Sequence, residues 1–441
     1  MEQETLHRVG ELSSTAFLIA SLIKIIAFFT LVMVTVALLT LLERKVSAWM
    51  QDRLGPNRVG PGGIAQPAAD GIKNILKEET WPGESYRTFF LLAPMLSIIP
   101  ALVTFAIIPF AAPLPTPWGL VEVMVADVPV GILFLLAFSS LGVYGIVIAG
   151  WSSANKYALL GGLRAGAQMI SYEIALGMSL LSVFFVVGNV RLSEVIWYQQ
   201  TMSLWFALPL AASFFLFWIS AFAETNRLPF DLPEAESELV TGYHTEYSAM
   251  KFSMFFIAEY AHVLTISMLM ATLFLGGWDI PGSFDNMRVV APGVVAGAEP
   301  AVWKTLLTFA VFGLKTLFFI LVFMLVRWTV PRFRYDQVMD LGWKFMIPTA
   351  LVVVVATAGT ILVLDTIGEP FVTAGQGGLA YIGFFGGLVL TVVNLVLLAV
   401  MLLILDRGNI LVGTGSTDEK RELARRRVQA RQMAVQTAMR R

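Results

Sequence analysis

Residues 17–42 read FLIASLIKIIAFFTLVMVTVALLTLL, and Glu43, Arg44 and Lys45 follow at once. Lys24 is the single charge in that run. An α-helix needs roughly 20 apolar residues to cross the about 30 Å hydrocarbon core of a bilayer, so this stretch spans one. It is too long for the apolar part of a cleaved signal, and no small-residue cleavage site follows it; it reads as a retained span. The pattern recurs at 89–110, 130–148, 167–187, 204–223, 252–275, 302–326, 345–364 and 379–405. The sequence therefore predicts an all-α polytopic membrane protein with nine transmembrane helices. Gly, Ser and Ala inside several spans would let those helices approach closely.

Composition agrees. Of 441 residues 57% are hydrophobic and 14% charged, where soluble domains carry about 25% charged residues. A soluble or disordered chain is excluded. There is no cysteine, and histidine occurs only as His7, His244 and His262. Disulfides are excluded, and so are iron–sulfur clusters held by this chain alone. The one usable histidine pair sits 18 residues apart, near a membrane surface and inside a span. The chain is expected not to carry electrons itself.

Lys and Arg set the orientation. With the N-terminus outside, the inside segments are 43–87, 151–164, 224–251, 327–344 and 406–441, and they hold 7, 2, 2, 4 and 9 basic residues, 24 of the 30 in all. The bias supports an odd number of spans and a cytoplasmic C-terminus. Residues 1–405 then form one transmembrane domain, and 406–441 a basic tail that reads either as a segment near anionic lipid or as a docking site for a partner subunit. No P-loop, dinucleotide fingerprint, metal-ligand cluster or internal repeat is visible.

The inside loops carry the polar chemistry. The first runs Arg53-Leu-Gly-Pro-Asn57-Arg58-Val-Gly-Pro-Gly-Gly63, a tight turn-rich loop. An amphipathic stretch follows from Ile64 to Lys77 with Asp70 on its polar face; it reads as an interfacial helix or as the mouth of a lipid-facing cavity. The second loop leads into Gln168, Ser171, Tyr172 and Glu173. Glu173 lies about 13 Å past Arg164 at 1.5 Å per residue, a depth at which a carboxylate must be paired, neutral or wet. It reads as a salt-bridge partner or as part of a proton path.

The third loop, Glu224-Thr-Asn-Arg227-Leu-Pro-Phe230-Asp231-Leu-Pro-Glu234-Ala-Glu236-Ser-Glu238 and on to Glu246, has six acids in 23 residues against one Arg. A solvated acidic face is one reading. The other is a group of carboxylates crowded enough to exchange protons near neutral pH, running into Glu259 and His262, which share a helix face in the next span. Lys315 lies near the middle of the seventh span, where an ionisable side chain is by default a functional hypothesis. The fourth loop, Arg327-Trp-Thr-Val-Pro-Arg332-Phe-Arg-Tyr-Asp336, reads as a headgroup belt or a subunit interface and not as a nucleic-acid site.

Taken together, these loops resemble one family. Glu43-Arg-Lys, Arg53-Leu-Gly-Pro-Asn-Arg-Val-Gly, Gln66-Pro-Ala-Ala-Asp70-Gly-Ile-Lys73, Ala165-Gly-Ala-Gln-Met-Ile-Ser-Tyr-Glu173, the acidic loop from Ala223 to Leu239, and Arg332-Phe-Arg-Tyr-Asp336 are similar, in order and spacing, to the H-type (NuoH) membrane-subunit family of bacterial NADH-quinone oxidoreductase, respiratory complex I. The resemblance runs from about residue 17 to 405; the Arg-rich tail departs from it. It implies an eight- or nine-span subunit of the bacterial inner membrane, packed against hydrophilic and membrane-arm partner subunits and lipid. Quinone, ubiquinone or menaquinone, is its substrate, and NADH, flavin and iron–sulfur clusters belong to the partners. It also implies a quinone chamber at Arg53, Asp70, Arg227, Phe230 and Asp231, and a proton path through Glu173, Glu224, Glu234, Glu236, Glu238, Glu246 and Glu259. No catalytic or metal-binding residue is expected in this chain. The rival readings are a stand-alone proton-coupled transporter, for which no inverted repeat is seen, the membrane subunit of a related donor-linked complex, and a structural anchor.

Overall fold

The computed structural model describes residues 7–8, 14–116, 119–233, 236–280, 287–291, 294–297, 301–368, 372–374 and 380–407. The basic tail from residue 408 and Glu234 lie outside the described residues, and of Glu236 only the backbone is described.

Among the described residues thirteen α-helices run in chain order: α1 Ser14–Met50, α2 Gln66–Leu76, α3 Arg87–Val103, α4 Gly131–Ser152, α5 Lys156–Val187, α6 Leu192–Met202, α7 Ala211–Glu224, α8 Glu236–Leu239, α9 Ala249–Phe274, α10 Val302–Thr329, α11 Tyr335–Asp340, α12 Ile347–Ile367 and α13 Phe384–Arg407. Among the described residues strands form two short antiparallel hairpins and a three-stranded patch that takes in His7–Arg8 ahead of α1. Eight described helices are long and apolar enough to cross a membrane, and they account for eight of the nine predicted spans.

The ninth, at 204–223, takes a different form. Only Ala211–Glu224 is helical, 14 residues, or about 21 Å at 1.5 Å per residue. Pro209 has no N–H to offer a continuous helix, and residues 204–210 instead form a turn whose Ala207 N–H donates to the Phe274 carbonyl at 2.8 Å. At the other end the helix stops at Glu224 within the bundle, opposite His262, which lies 13 residues into α9. The acidic loop, expected to begin at the membrane surface, thus begins deep in the protein.

α9 is the central pole. From Ala261 to Phe274 nearly every side chain is buried, and α1, α3, α7 and α10 pack around it. Close approach elsewhere depends on glycine: a Cβ at Gly145 of α4 would come within 2.3 Å of Ser97 Oγ on α3, and one at Gly150 within 2.5 Å of the Ala158 carbonyl oxygen on α5. α1, α10, α12 and α13 leave broad apolar faces exposed, with Leu22, Leu314, Leu362 and Val392 each more than half accessible, as lipid contact requires.

The four loops expected on the inside, three with a basic excess or balance and one acidic, meet at one end of the bundle. The Tyr86 N–H donates to the Ser152 carbonyl. Lys251 pairs with Glu79 at 2.9 Å, Arg164 with Glu238 at 2.9 Å and Arg332 with Asp231 at 3.0 Å. The Phe333 N–H reaches the Pro229 carbonyl. We call this the charged end.

Candidate functional site: two cavities with a shared wall

Ending α7 inside the bundle leaves backbone groups that must find partners there. Gln168 of α5 meets two backbone carbonyls and one side-chain amide of this segment. Its Nε2 donates to the carbonyls of Ala223 and Phe230, both at 2.9 Å, and to Asn226 Oδ1 at 3.1 Å. Asn226 adopts a left-handed conformation, φ 50°, which asparagine tolerates better than most residues. The Leu228–Pro229 peptide is cis. This compact turn carries Arg227 inward.

Arg227 is held between two helices. Its Nη1 donates to both Glu43 carboxylate oxygens, at 3.1 and 3.2 Å, from the charged end of α1. Its Nε lies 2.8 Å from Glu259 Oε1 on α9, and its guanidinium sits 4.5 Å from the Tyr260 ring centre. Arg327 of α10 also pairs with Glu43, and Trp328 Nε1 donates to Ser47 Oγ at 3.1 Å. Glu43 is 7% exposed; two guanidiniums compensate one buried carboxylate. These groups line a cavity of about 550 Å³ with Arg53, Asn226, Asp231 and Tyr260.

One step inward lies a smaller cavity of about 60 Å³, lined by Ser139, Glu224, Asn226, Glu259 and His262 among others. That is room for a few waters. The Ser139 hydroxyl of α4 donates to Glu224 Oε1 at 2.6 Å, and His262 Nε2 stands 3.3 Å from the same oxygen. Glu224 itself is 4% exposed. Glu173 of α5 is close enough to interact electrostatically with Glu224 and His262. Asn226 and Glu259 line both cavities and are the wall between them.

The expected site residues divide accordingly. Arg53, Arg227 and Asp231 line the larger cavity, and Glu224 and Glu259 the smaller. Asp70 is one residue removed: it pairs at 2.6 Å with Arg44, which lines the larger cavity. Phe230 is not at the cavity. Its ring is buried between Tyr172 and Phe333, 5.5 Å from each, because the turn that aims Arg227 one way aims its neighbour into the core. Glu238 is an exposed partner of Arg164, and Glu246 accepts a hydrogen bond from Asn155 Nδ2 at 2.7 Å; both hold the charged end together. Sequence alone does not single out Glu43, Ser139, Arg327 or Tyr260 as site residues. Glu43 carries a signal, a carboxylate directly after a span, but nothing in the sequence brings α1 to α10.

Lys315 lies away from both cavities. Its ammonium donates to the carbonyls of Leu275, Gly277 and Asp279 at 2.6, 2.9 and 2.6 Å, and sits 4.8 Å from the Trp205 ring centre. It closes the C-terminal end of α9, where free carbonyls and the helix dipole favour a cation. The pKa of the adjacent Asp279 carboxyl is raised by burial, against Gln200 and Lys315.

A family model described as NADH dehydrogenase matches residues 23–358. The chain is similar to the H-type subunit of NADH-quinone oxidoreductase from Leptospira biflexa serovar Patoc, 47% identical over 347 residues, covering 77% of this chain and 94% of the relative. It is 48% identical over 342 residues to the protein of the same name from Rhodospirillum centenum, covering 78% and 94%. With that of Protochlamydia amoebophila it shares 48% over 322 residues, covering 73% and 91%. The family match stops inside α12, so α13 lies beyond it.

Proposed function

Because the chain belongs to the H-type subunit family of NADH-quinone oxidoreductase, multi-pass membrane components of respiratory complex I, we propose that its larger cavity is part of the quinone chamber and its smaller one the first proton station. A volume of about 550 Å³ lies in the usual range for small-molecule sites, roughly 300–1,000 Å³. Four arginines on its wall, Arg44, Arg53, Arg227 and Arg327, suit a headgroup that gains negative charge on reduction. Electrons would come from an iron–sulfur cluster in a hydrophilic partner docked on the charged end, with NADH and flavin farther off in other subunits. Quinone would enter from the lipid beside α1 and α2, in the inner membrane of a bacterial cell.

Coupling follows from the shared wall, and that wall is the observation that carries the reading. Negative charge on the quinone competes with Glu43 and Glu259 for Arg227. Two unit charges 4 Å apart interact by about 4 kcal/mol at an effective dielectric of 20. Loosening Arg227 from Glu259 favours proton uptake there. Glu259 faces the same small cavity as Glu224, Ser139 and His262, so a proton gained at the wall can pass to Glu224 and toward Glu173. Glu234, Glu236, Glu238, Glu246 and Asp70 would deliver protons from the charged end. The basic tail would meet lipid or a partner subunit.

Glu259→Gln and Glu224→Gln, measured in purified complexes of confirmed subunit composition, are expected to depress quinone-linked turnover and proton pumping together by at least about tenfold, the factor that some 1.4 kcal/mol of lost coupling represents. Full activity in both assembled variants would sink the reading.

A further inference from the structure

Hydroxyls inside these spans mostly fold back onto the carbonyl three or four residues earlier. Ser171, Ser179, Ser253, Thr265, Ser267 and Thr272 all do so, at 2.6–3.2 Å. Among the described residues Ser182 of α5, Ser213 and Ser220 of α7, and Thr357 of α12 break the habit: each hydroxyl is fully buried and meets no hydrogen-bonding partner in the protein. A buried hydroxyl without a partner is costly, and where native proteins keep one it is normally met by ordered water.

Two of the three serines lie on one stripe of α7, and the third stands on α5, which packs against α7. At 100° per residue, Ser213, Phe217, Ser220 and Glu224 fall within about 60° of one another on α7. Ser182 lies within about 40° of Gln168 on α5, and Gln168 touches α7 at the Ala223 carbonyl. The two helices pack against each other and run in opposite directions. At 1.5 Å per residue, Ser220, Ser213 and Ser182 stand about 6, 16 and 21 Å from the level of Glu224, leading away from the charged end. Ser182 is five residues short of the end of α5. Phe217 lies between Ser220 and Ser213 on the stripe, fully buried and 5.6 Å from the Phe274 ring centre.

We propose that the α5–α7 seam is the outward half of a proton route, in which water bridged by the hydroxyls of Ser220, Ser213 and Ser182 carries protons from the Glu224 carboxyl to the end of the bundle opposite the charged loops, with Phe217 as its gate. It rests on Glu224 being a proton-carrying group, as proposed above. In one passage the Glu224 carboxyl releases a proton, each hydroxyl or water accepts one proton and gives up another, and one proton emerges at the far end. Glu224 is then reprotonated from the side of Glu259, and no other bond changes.

The test uses the whole complex in sealed vesicles, with protons moved per quinone reduced as the readout. Ser213→Ala with Ser220→Ala should lower that ratio, and Ser213→Thr with Ser220→Thr, which keep a hydroxyl at both positions, should restore it. A seam with a purely structural role predicts that removing unpartnered hydroxyls is harmless. Phe217→Ser should add a proton leak across vesicles with no substrate present. A wild-type ratio in the double alanine variant overturns the route. If that double variant does not assemble, Ser213→Ala alone, the position farther from the Glu224 cluster, decides by the same ratio. Should Glu224→Gln be impaired while the alanine variant is normal, only the route fails; should Glu224→Gln be normal, the parent reading fails.

Discussion

Two part-buried cations of the membrane domain, Arg227 and Lys315, are held in opposite ways. Arg227, toward the charged end, is held by carboxylates: Glu43 on α1 and Glu259 on α9. Lys315, toward the other end, is held by three backbone carbonyls at the end of α9. A carboxylate can take up a proton and release its partner; a peptide carbonyl at these pH values cannot. A site built on Arg227 can therefore change state when charge arrives, whereas the hydrogen bonds that hold Lys315 go to groups that do not titrate. The cavities agree with this division, since both border Glu259 and neither borders Lys315. A charge within a span is thus not by itself a mark of mechanism; what the charge holds decides.

The largest effect should come from Arg227→Gln. Removing one partner from a buried ion network leaves uncompensated charge, at a cost of about 3–5 kcal/mol. Two carboxylates lose their shared cation, so quinone reduction per assembled complex should fall by at least about a hundredfold, the rate equivalent of roughly 3 kcal/mol. Arg227→Lys should recover little, because an ammonium cannot present the planar fork that reaches two carboxylates while lying over Tyr260. Quinone reductase activity near wild type in either assembled variant would break the contrast between the two cations.

Lys315→Met should act on stability instead. Three carbonyls lose their donor, and an unsatisfied buried polar group costs about 1–3 kcal/mol. A lower thermal midpoint of the purified complex is expected, with quinone turnover per assembled complex unchanged, and Lys315→Arg should recover part of the midpoint. Reduced turnover at an unchanged midpoint would instead make Lys315 part of the mechanism.

How far these sites are legible in the sequence depends on which physical rule applies. Spans are set by local apolar length, and eight of nine emerge as continuous long helices. The exception, α7, is shortened by Pro209 at one end and by the Asn226–Pro229 turn at the other; both signals are local, but that the turn lies deep depends on Gln168, more than fifty residues earlier. The acidic loop points by charge to Glu224, and to Glu259 only through the span that follows it. It cannot separate Arg227 from Phe230, three residues apart, one facing a cavity and the other the core. Glu43 and Arg327 meet across 284 residues, and no pattern in either segment encodes the other. Lys315 looks stranded in the sequence because its carbonyl partners follow α9, a helix whose end no local pattern brings beside α10.

The smallest effect concerns His244, and it sharpens the contrast by showing that the charged end is not titratable throughout. His244 is 8% exposed, with the rings of Tyr243, Phe252 and Phe256 around it. Burial lowers its pKa to about 4 from 6.5, so it is neutral at pH 7. For a base with a depressed folded pKa the unfolded or opened state binds more protons between those two values, so stability is complete above about 6.5 and is lost as pH falls toward 4. Going from pH 7 to 5.5 should cost about 1 kcal/mol locally. Hydrogen exchange at the Thr245 and Tyr247 amides, which are bonded to the Gly242 and His244 carbonyls, should quicken over that range. Substituting His244→Phe, which keeps a ring and removes the titrating group, should abolish the acceleration; its persistence would show that His244 is not the group responsible.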